Sequence, residues 1–145
     1  MDLEKMIGLL NEDLKNEWKH LRYYLHHASL VQGLHCEEYK EFLLKAAAGE
    51  MQHVTQFSDV IVGLGGTPTR DSNDFPIFHD PKEIVRYALQ MEEEVVKNYV
   101  QRLADSDALG GEDGAWLHIF LEDQIQDSRS DADHLKQIVR GFHFN

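Results

Sequence analysis

Glu50 and His53 stand three residues apart in the stretch Ala46-Ala47-Ala48-Gly49-Glu50-Met51-Gln52-His53. Apolar residues on either side recur at helical spacing, so the carboxylate and the imidazole share one helix face. Ala46 and Ala47 crowd that face little. A carboxylate oxygen and an imidazole nitrogen that reach the same point can hold one metal ion. On a solvated face the same pair would be an ordinary polar contact. The other long segments decide between the two readings. Each breaks its apolar stripe at mid-length: Glu17 in the first, Glu92 in the third, and Gln124, Asp127, Asp131 and His134 in the fourth. Polar groups on a core face are costly without partners.

Four helices are expected to position these groups. Leu3, Met6, Ile7, Leu10, Leu14, Leu21, Leu25 and Ala28 repeat at three and four, which predicts a first helix over roughly residues 3 to 31. Glu17, Leu21, Tyr24 and Ala28 fall on one face of it, so Tyr24 can hydrogen-bond near Glu17. The second helix runs from about Cys36 to Leu64 and ends at Gly63, Gly65 and Gly66. Residues 65 to 80 are too long for a tight turn; they can run the length of a bundle, with Phe75, Ile77 and Phe78 packing on the way. Asp80 is a candidate N-cap and Pro81 a first helical residue, opening a third helix to about Asp105. Its buried row is Ile84, Ala88, Glu92, Val95, Tyr99 and Leu103, while Glu93 and Glu94 face solvent. Ser106 to Gly114 reads as a polar loop, and a fourth helix follows over about Ala115 to Arg140. The fold class is all-α: one domain over residues 1–145, a four-helix bundle with a long crossover between its second and third helices. Helices of this length make a bundle about 40 Å long. Short loops after the first and third helices bring Glu17, Glu50, Glu92 and Asp127 to similar depth.

The chain of 145 residues has a formal charge of -12, with 26 acidic and 14 basic side chains. That charge argues against nucleic acid as a partner, which needs a basic surface, and suits a protein that handles cations. Cys36 is the single cysteine, so neither an intrachain disulfide nor a thiolate cluster can form. No signal-peptide pattern and no spanning apolar run are present, so a cytoplasmic protein without a membrane partner is expected. Carboxylates gathered in a core repel and take up protons unless cations neutralise them. A ligand set of oxygens with one imidazole suits iron or manganese, and secondarily zinc. In a dinuclear centre Glu17 and His53 would serve one or other ion, with Glu50 and Glu92 as candidate bridges.

Asn16-Glu17 followed by Tyr24, Glu50-Met51-Gln52-His53, Glu92 followed by Lys97-Asn98, and the turn Gly63-Leu64-Gly65-Gly66-Thr67-Pro68 together resemble the ferritin and bacterioferritin superfamily over about residues 3 to 140. The resemblance implies a ferritin-like bundle and a di-iron ferroxidase, with Glu17, Glu50, His53 and Glu92 as ligands and Tyr24 beside them. Bacterioferritin carries a second Glu-x-x-His on its fourth helix. Here Gln124 and Asp127 align with it, and a slip of two turns would instead match Asp131 and His134, which otherwise read as a transit path. Met51 matches the methionine that binds haem between two bacterioferritin subunits, but a methionine beside a core stripe is ordinarily packing, and haem is not expected. The fifth helix of the large cages is missing, so self-association is expected to stop at a dimer or at a smaller or differently closed shell. Two alternatives stay open: a dimeric scavenger of peroxide or oxygen that stores no iron, and a non-enzymatic helical bundle with a degraded metal site.

Overall fold

The computed structural model describes residues 1–144. It contains α1 (Leu3–Leu30), α2 (Cys36–Gly63), α3 (Pro81–Leu109) and α4 (Gly111–Gly141), followed by a 3-10 turn, Phe142–Phe144. The expected four-helix architecture is present, and among the described residues there is no strand. No helix is long and apolar enough to cross a membrane.

Local chemistry sets the boundaries. Asp2 caps α1 by accepting from the Lys5 amide at 2.7 Å, and Asp80 caps α3 by accepting from the Lys82 amide at 3.2 Å. Pro81 follows Asp80 at the first helical turn, where its missing N–H costs nothing.

The crossover runs the length of α1. Asn11 holds its start, donating to the Thr67 carbonyl at 3.1 Å and accepting from the Thr69 amide at 2.8 Å. The Trp18 indole donates to the Thr69 carbonyl, and Asn73 donates to Asn16. Near the far end the Phe78 amide donates to Nε2 of buried His27, whose Nδ1 faces the Tyr23 carbonyl at 2.9 Å. Phe75 and Phe78 pack on the core as expected, whereas Ile77 is half exposed. Having climbed along α1, the chain enters α3 running parallel to α2. Each of the two hairpins, α1–α2 and α3–α4, therefore lies antiparallel to its neighbour.

The connection between α3 and α4 is far shorter than its composition suggests. Residues 106–109 continue α3, Gly110 alone intervenes, and 111–114 already belong to α4. Gly110 and Gly111 have φ of 68° and 66°, a region that favours glycine. A Cβ at Gly114 would lie 2.6 Å from the Ser106 carbonyl oxygen, so the two helices meet there backbone to backbone. The tight joint resets depth along the hairpin. Glu92 and Ser128, rather than Glu92 and Asp127, stand equally far from Gly110.

Apolar side chains fill the bundle above and below its middle. Phe57 of α2 stacks on Tyr99 of α3 at 5.4 Å between ring centroids and meets Phe120 of α4 edge-on at 5.0 Å. Leu25, expected in the stripe of α1, is instead half exposed. Asp13 is buried and takes a two-pronged contact from Arg102 of α3, at 2.7 and 3.1 Å; Arg102 also reaches Asp105 at 2.7 Å.

Candidate metal centre

One turn past Asp13 the buried polar groups multiply. Glu17, His20, Glu50, His53 and Glu92 are all buried. They form two groups of potential ligands, Glu17–Glu50–His53 and His20–Glu50–Glu92, with one donor atom of each residue within 4.8 Å of the others in its group. The four expected ligands Glu17, Glu50, His53 and Glu92 thus come together at mid-bundle.

Glu50 belongs to both groups through different oxygens. Its Oε2 lies 3.2 Å from His53 Nδ1, and its Oε1 lies 3.7 Å from His20 Nδ1. His53 Nδ1 is also 3.5 Å from Glu17 Oε2, and His20 Nδ1 is 3.5 Å from Glu92 Oε1. Ligands bound about 2.1 Å from a common ion stand about 3 to 3.5 Å apart, which these separations approach. A carboxylate that offers one oxygen to each of two adjacent positions has the shape of a bridge.

Tyrosines fix the two outer carboxylates. Tyr99 donates to Glu17 Oε1, and Tyr24 donates to Glu92 Oε1 at 3.1 Å. The hydrogen bond expected of Tyr24 is present, with Glu92 as its partner. Each tyrosine leaves the second oxygen of its glutamate, Oε2, buried without a hydrogen-bond partner. His20 Nδ1, Gln124 Oε1 and Ser128 Oγ are likewise buried and unpartnered. An unsatisfied buried polar atom costs about 1–3 kcal/mol. Several in one layer of a well-packed bundle fit ligands or donors whose partners are ions and the small molecules bound to them.

Without metal, protons balance the cluster. Burial pushes Glu17 well above the usual carboxylate range, and the Glu50 charge adds to it. Burial also raises Glu50, but contacts to Glu17, His20 and His53 outweigh it and hold Glu50 well below that range. Burial and the Glu50 charge push Glu92 up to about 7. Burial opposes charge on His53, yet Glu17 and Glu50 prevail and hold it up at about 11. His20 is raised in the same way, against burial, by Glu50 and Glu92. Metal binding here must displace protons.

The fourth helix departs from expectation. Asp127 is exposed, and its Oδ2 lies 3.6 Å from His53 Nε2, behind the ring, on the side away from Glu17 and Glu50. The register of α4 is the reason: its buried row runs Leu117, Phe120, Leu121, Gln124, Ser128, Ala132 and Leu135, and Asp127 falls beside that row rather than in it. Gln124 is buried and donates to Gln56 at 2.8 Å, leaving its carbonyl oxygen free. Asp131 and His134 lie outside both triads. They line a cleft of about 450 Å³ between α2 and α4 that reaches Glu50 and Glu92. Partial burial and the Glu50 charge raise Asp131 to about 6. On the other side of His53, Asp59, Asp123 and Asp127 border a second cleft of about 400 Å³ outside Gln124. Met51, rather than packing, is half exposed on α2 and belongs to neither triad.

His20 is the candidate ligand that sequence reasoning missed. The signal was present: Glu17-x-x-His20 repeats on α1 the spacing that singled out Glu50-x-x-His53 on α2. Tyr99, read as core, is the second omission.

A family model, the ferritin-like domain, matches residues 7–142. The chain belongs to the ferritin-like family. Among solved structures it resembles a ferritin-like, diiron-carboxylate protein from Bacillus anthracis, with 30% identity and a TM-score of 0.86, over 94% of this chain and 96% of the other. It also shares its fold with the Rhodobacter capsulatus bacterioferritin, at 21% identity and a TM-score of 0.83, over 97% of this chain and 86% of that one. No curated protein matches the sequence. Relative to the ferritin-like pattern of two Glu-x-x-His helices and two single-glutamate helices, this member has its Glu-x-x-His pairs on α1 and α2 and a lone glutamate on α3. On the inner face of α4 it has Gln124 and Ser128, which carry no charge.

Proposed function

We propose that this ferritin-like chain is a di-iron ferroxidase that oxidises Fe(II) with dioxygen or peroxide, in iron storage or detoxification. The observation that carries the reading is the pair of buried triads sharing Glu50. The donor set of carboxylate oxygens and imidazoles suits iron, with manganese or zinc as substitutes, and the solved relative at 30% identity is described as a diiron-carboxylate protein. Bound iron would supply the electrons that reduce the oxidant, leaving as Fe(III).

The chain's own groups have distinct parts. Glu17 and His53 would hold one ion and His20 and Glu92 the other, with Glu50 common to both groups. Gln124 offers one ion a neutral oxygen and binds it more weakly than a carboxylate would. Tyr99 and Tyr24 keep the outer carboxylates aimed inward. Asp127, 3.6 Å from His53 Nε2, favours the tautomer with the proton on Nε2 and Nδ1 free toward the ion. Asp131 and His134 border the path by which iron reaches Glu50 and Glu92. The protein acts as a self-associated assembly in the cytoplasm, where Cys36 stays reduced; native mass separates a storing shell from a dimer that only scavenges oxidant.

Glu50→Ala and His53→Ala are expected to abolish fast Fe(II) oxidation, followed by stopped-flow absorbance. An unchanged rate in either variant would remove the site. His20→Ala is expected to halve the bound metal, from two ions per chain to one, by elemental analysis. Gln124→Ala should weaken binding less than Glu50→Ala; equal losses would contradict the ranking.

A further inference from the structure

Away from the metal centre, the far end of the crossover is tied to α1 through a group that titrates. His27 is fully buried and both of its ring nitrogens are engaged. Its Nδ1 lies 2.9 Å from the Tyr23 carbonyl, which can only accept, so Nδ1 carries a proton. Its Nε2 receives the Phe78 amide at 3.1 Å, so Nε2 is bare. Together the two contacts admit one form, the neutral ring protonated on Nδ1. An imidazolium carries N–H groups on both sides. Its second N–H would meet the Phe78 N–H head-on, and two donors cannot share that contact.

The surroundings give a positive charge little support. The ring packs among Tyr23 and His26 of α1 and Phe75 and Phe78 of the crossover, with centroids 4.2 to 6.1 Å away. Tyr87 of α3 touches Tyr23 and Phe78, and Lys19 stands over the Tyr87 ring. The two acids that flank the segment are engaged elsewhere: Asp74 accepts from the Phe75 amide, and Asp80 caps α3. Burial holds His27 below its ordinary value; the Tyr23 carbonyl opposes this, and His26 and His79 add to it. The segment has few other ties. Asn73 meets Lys15 and Asn16 before it, and the His79 carbonyl accepts from Gln32 after it. Between those two points, the Phe78 amide supplies the hydrogen bond to α1 among the described residues.

We infer that His27 is an acid-sensitive latch on the crossover: the neutral ring ties Phe78 to α1, and the protonated ring releases residues 74–78 while the four helices stay packed. Phe75 and Phe78 are the rings that leave the core with the strap. Their departure opens the cleft of about 600 Å³ that Arg22, His26 and Phe75 border between α1 and the crossover. The opening is local, so it is read at the strap and not in the melting temperature of the whole bundle. It needs no metal and stands apart from the ferroxidase reading.

Hydrogen exchange at the Phe78 amide tests the latch, with each rate corrected for the intrinsic pH dependence of exchange. In the intact protein its protection should fall about tenfold between about pH 7.5 and about pH 5.5, one unit on either side of the ordinary histidine value of 6.5. Amides in the middle of α4, such as that of Leu121, should keep their protection over the same range. His27→Gln supplies a side chain that accepts and donates but gains no proton, and it should protect Phe78 equally at both pH values. His27→Phe keeps a ring without an acceptor and should leave Phe78 poorly protected at both. Constant Phe78 protection in the intact protein, a parallel loss in α4, or an acid loss that persists in His27→Gln would overturn the latch. Should His27→Gln not fold, His27→Phe decides: a tenfold acid loss that persists there would overturn it equally.

Discussion

Two buried charged clusters lie one turn apart along α1, and they are built on opposite plans. Around Asp13 the charges are matched within the protein. Arg102 grips both oxygens of Asp13 and also reaches Asp105, and neither carboxylate of that group has a buried oxygen left over. Around Glu50 three carboxylates face two imidazoles, and buried oxygens and a ring nitrogen stand without partners. Both sets hold acidic groups out of water in the same helical framework. The first is closed and suits the fold; the second is open and suits the proposed ligand. Burial of charge alone therefore does not mark a functional site; buried charge with unmatched donor atoms does.

The contrast can be broken most forcefully at Asp13. Asp13→Ala leaves Arg102 facing α1 without its main counter-charge, and breaking a buried pair this way costs about 3–5 kcal/mol. Chemical denaturation should show that loss, while the folded fraction keeps its full metal content. Glu50→Ala should do the reverse, emptying the centre at little cost to the metal-free fold. If Asp13→Ala removes metal from folded protein, the two clusters are one.

The next largest effect is in pH. In the metal-free protein Asp13, Glu92 and His53 titrate at about 6, 7 and 11, each above its ordinary value. For Asp13 and for Glu92 burial is the first cause, with the Glu50 charge second for Glu92. For His53 its carboxylate neighbours overcome burial. Groups so raised bind more protons folded than unfolded, so each contributes fully below its ordinary value (3.8 for Asp13, 4.5 for Glu92, 6.5 for His53) and loses that contribution as pH climbs from there through its raised one. Glu50 is depressed, and its contribution is lost in stronger acid. The metal-free protein should therefore melt highest at about pH 4 and progressively lower towards about pH 9. Metal replaces the protons, so the loaded protein should show a flatter profile. A metal-free melting temperature that rises over that range would contradict the protonated cluster.

Smaller changes sharpen the picture. Tyr24→Phe removes the hydroxyl that aims Glu92 and should slow Fe(II) oxidation at least about tenfold with both ions still bound, since one hydrogen bond to a charged group contributes about 1.5–3 kcal/mol. Loss of an ion would make Tyr24 necessary for binding itself. Glu93→Gln and Glu94→Gln, on the exposed side of α3, should leave metal content unchanged; a large loss would show that the face of α3 assigned inward is wrong.

Much of this arrangement was legible in the chain, and the gaps have physical causes. Helix existence followed from apolar spacing, because a stripe must be buried continuously to form a bundle. Glu17, Glu50 and Glu92 were visible as interruptions of such stripes. His20 was not, because attention to the row through Glu17, Leu21, Tyr24 and Ala28 passed over its neighbour at three residues, which faces the same interior. Asp127 was misjudged for another reason. Three glycines among polar residues suggested a loop, whereas glycine at positive φ and a bare backbone contact at Gly114 allowed the helices almost to touch. The joint at Gly110 puts Ser128 rather than Asp127 at the depth of Glu92, and one residue turns a helix face by about 100°.

The ligands are unevenly divided along the chain. Of the five residues in the two triads, Glu17, His20, Glu50 and His53 belong to the first hairpin and Glu92 to the second. A ribosome making this protein has therefore delivered four of the five donors before the crossover emerges. For the proposed centre, the arrival of α3 is therefore the step that brings the last carboxylate of the two groups.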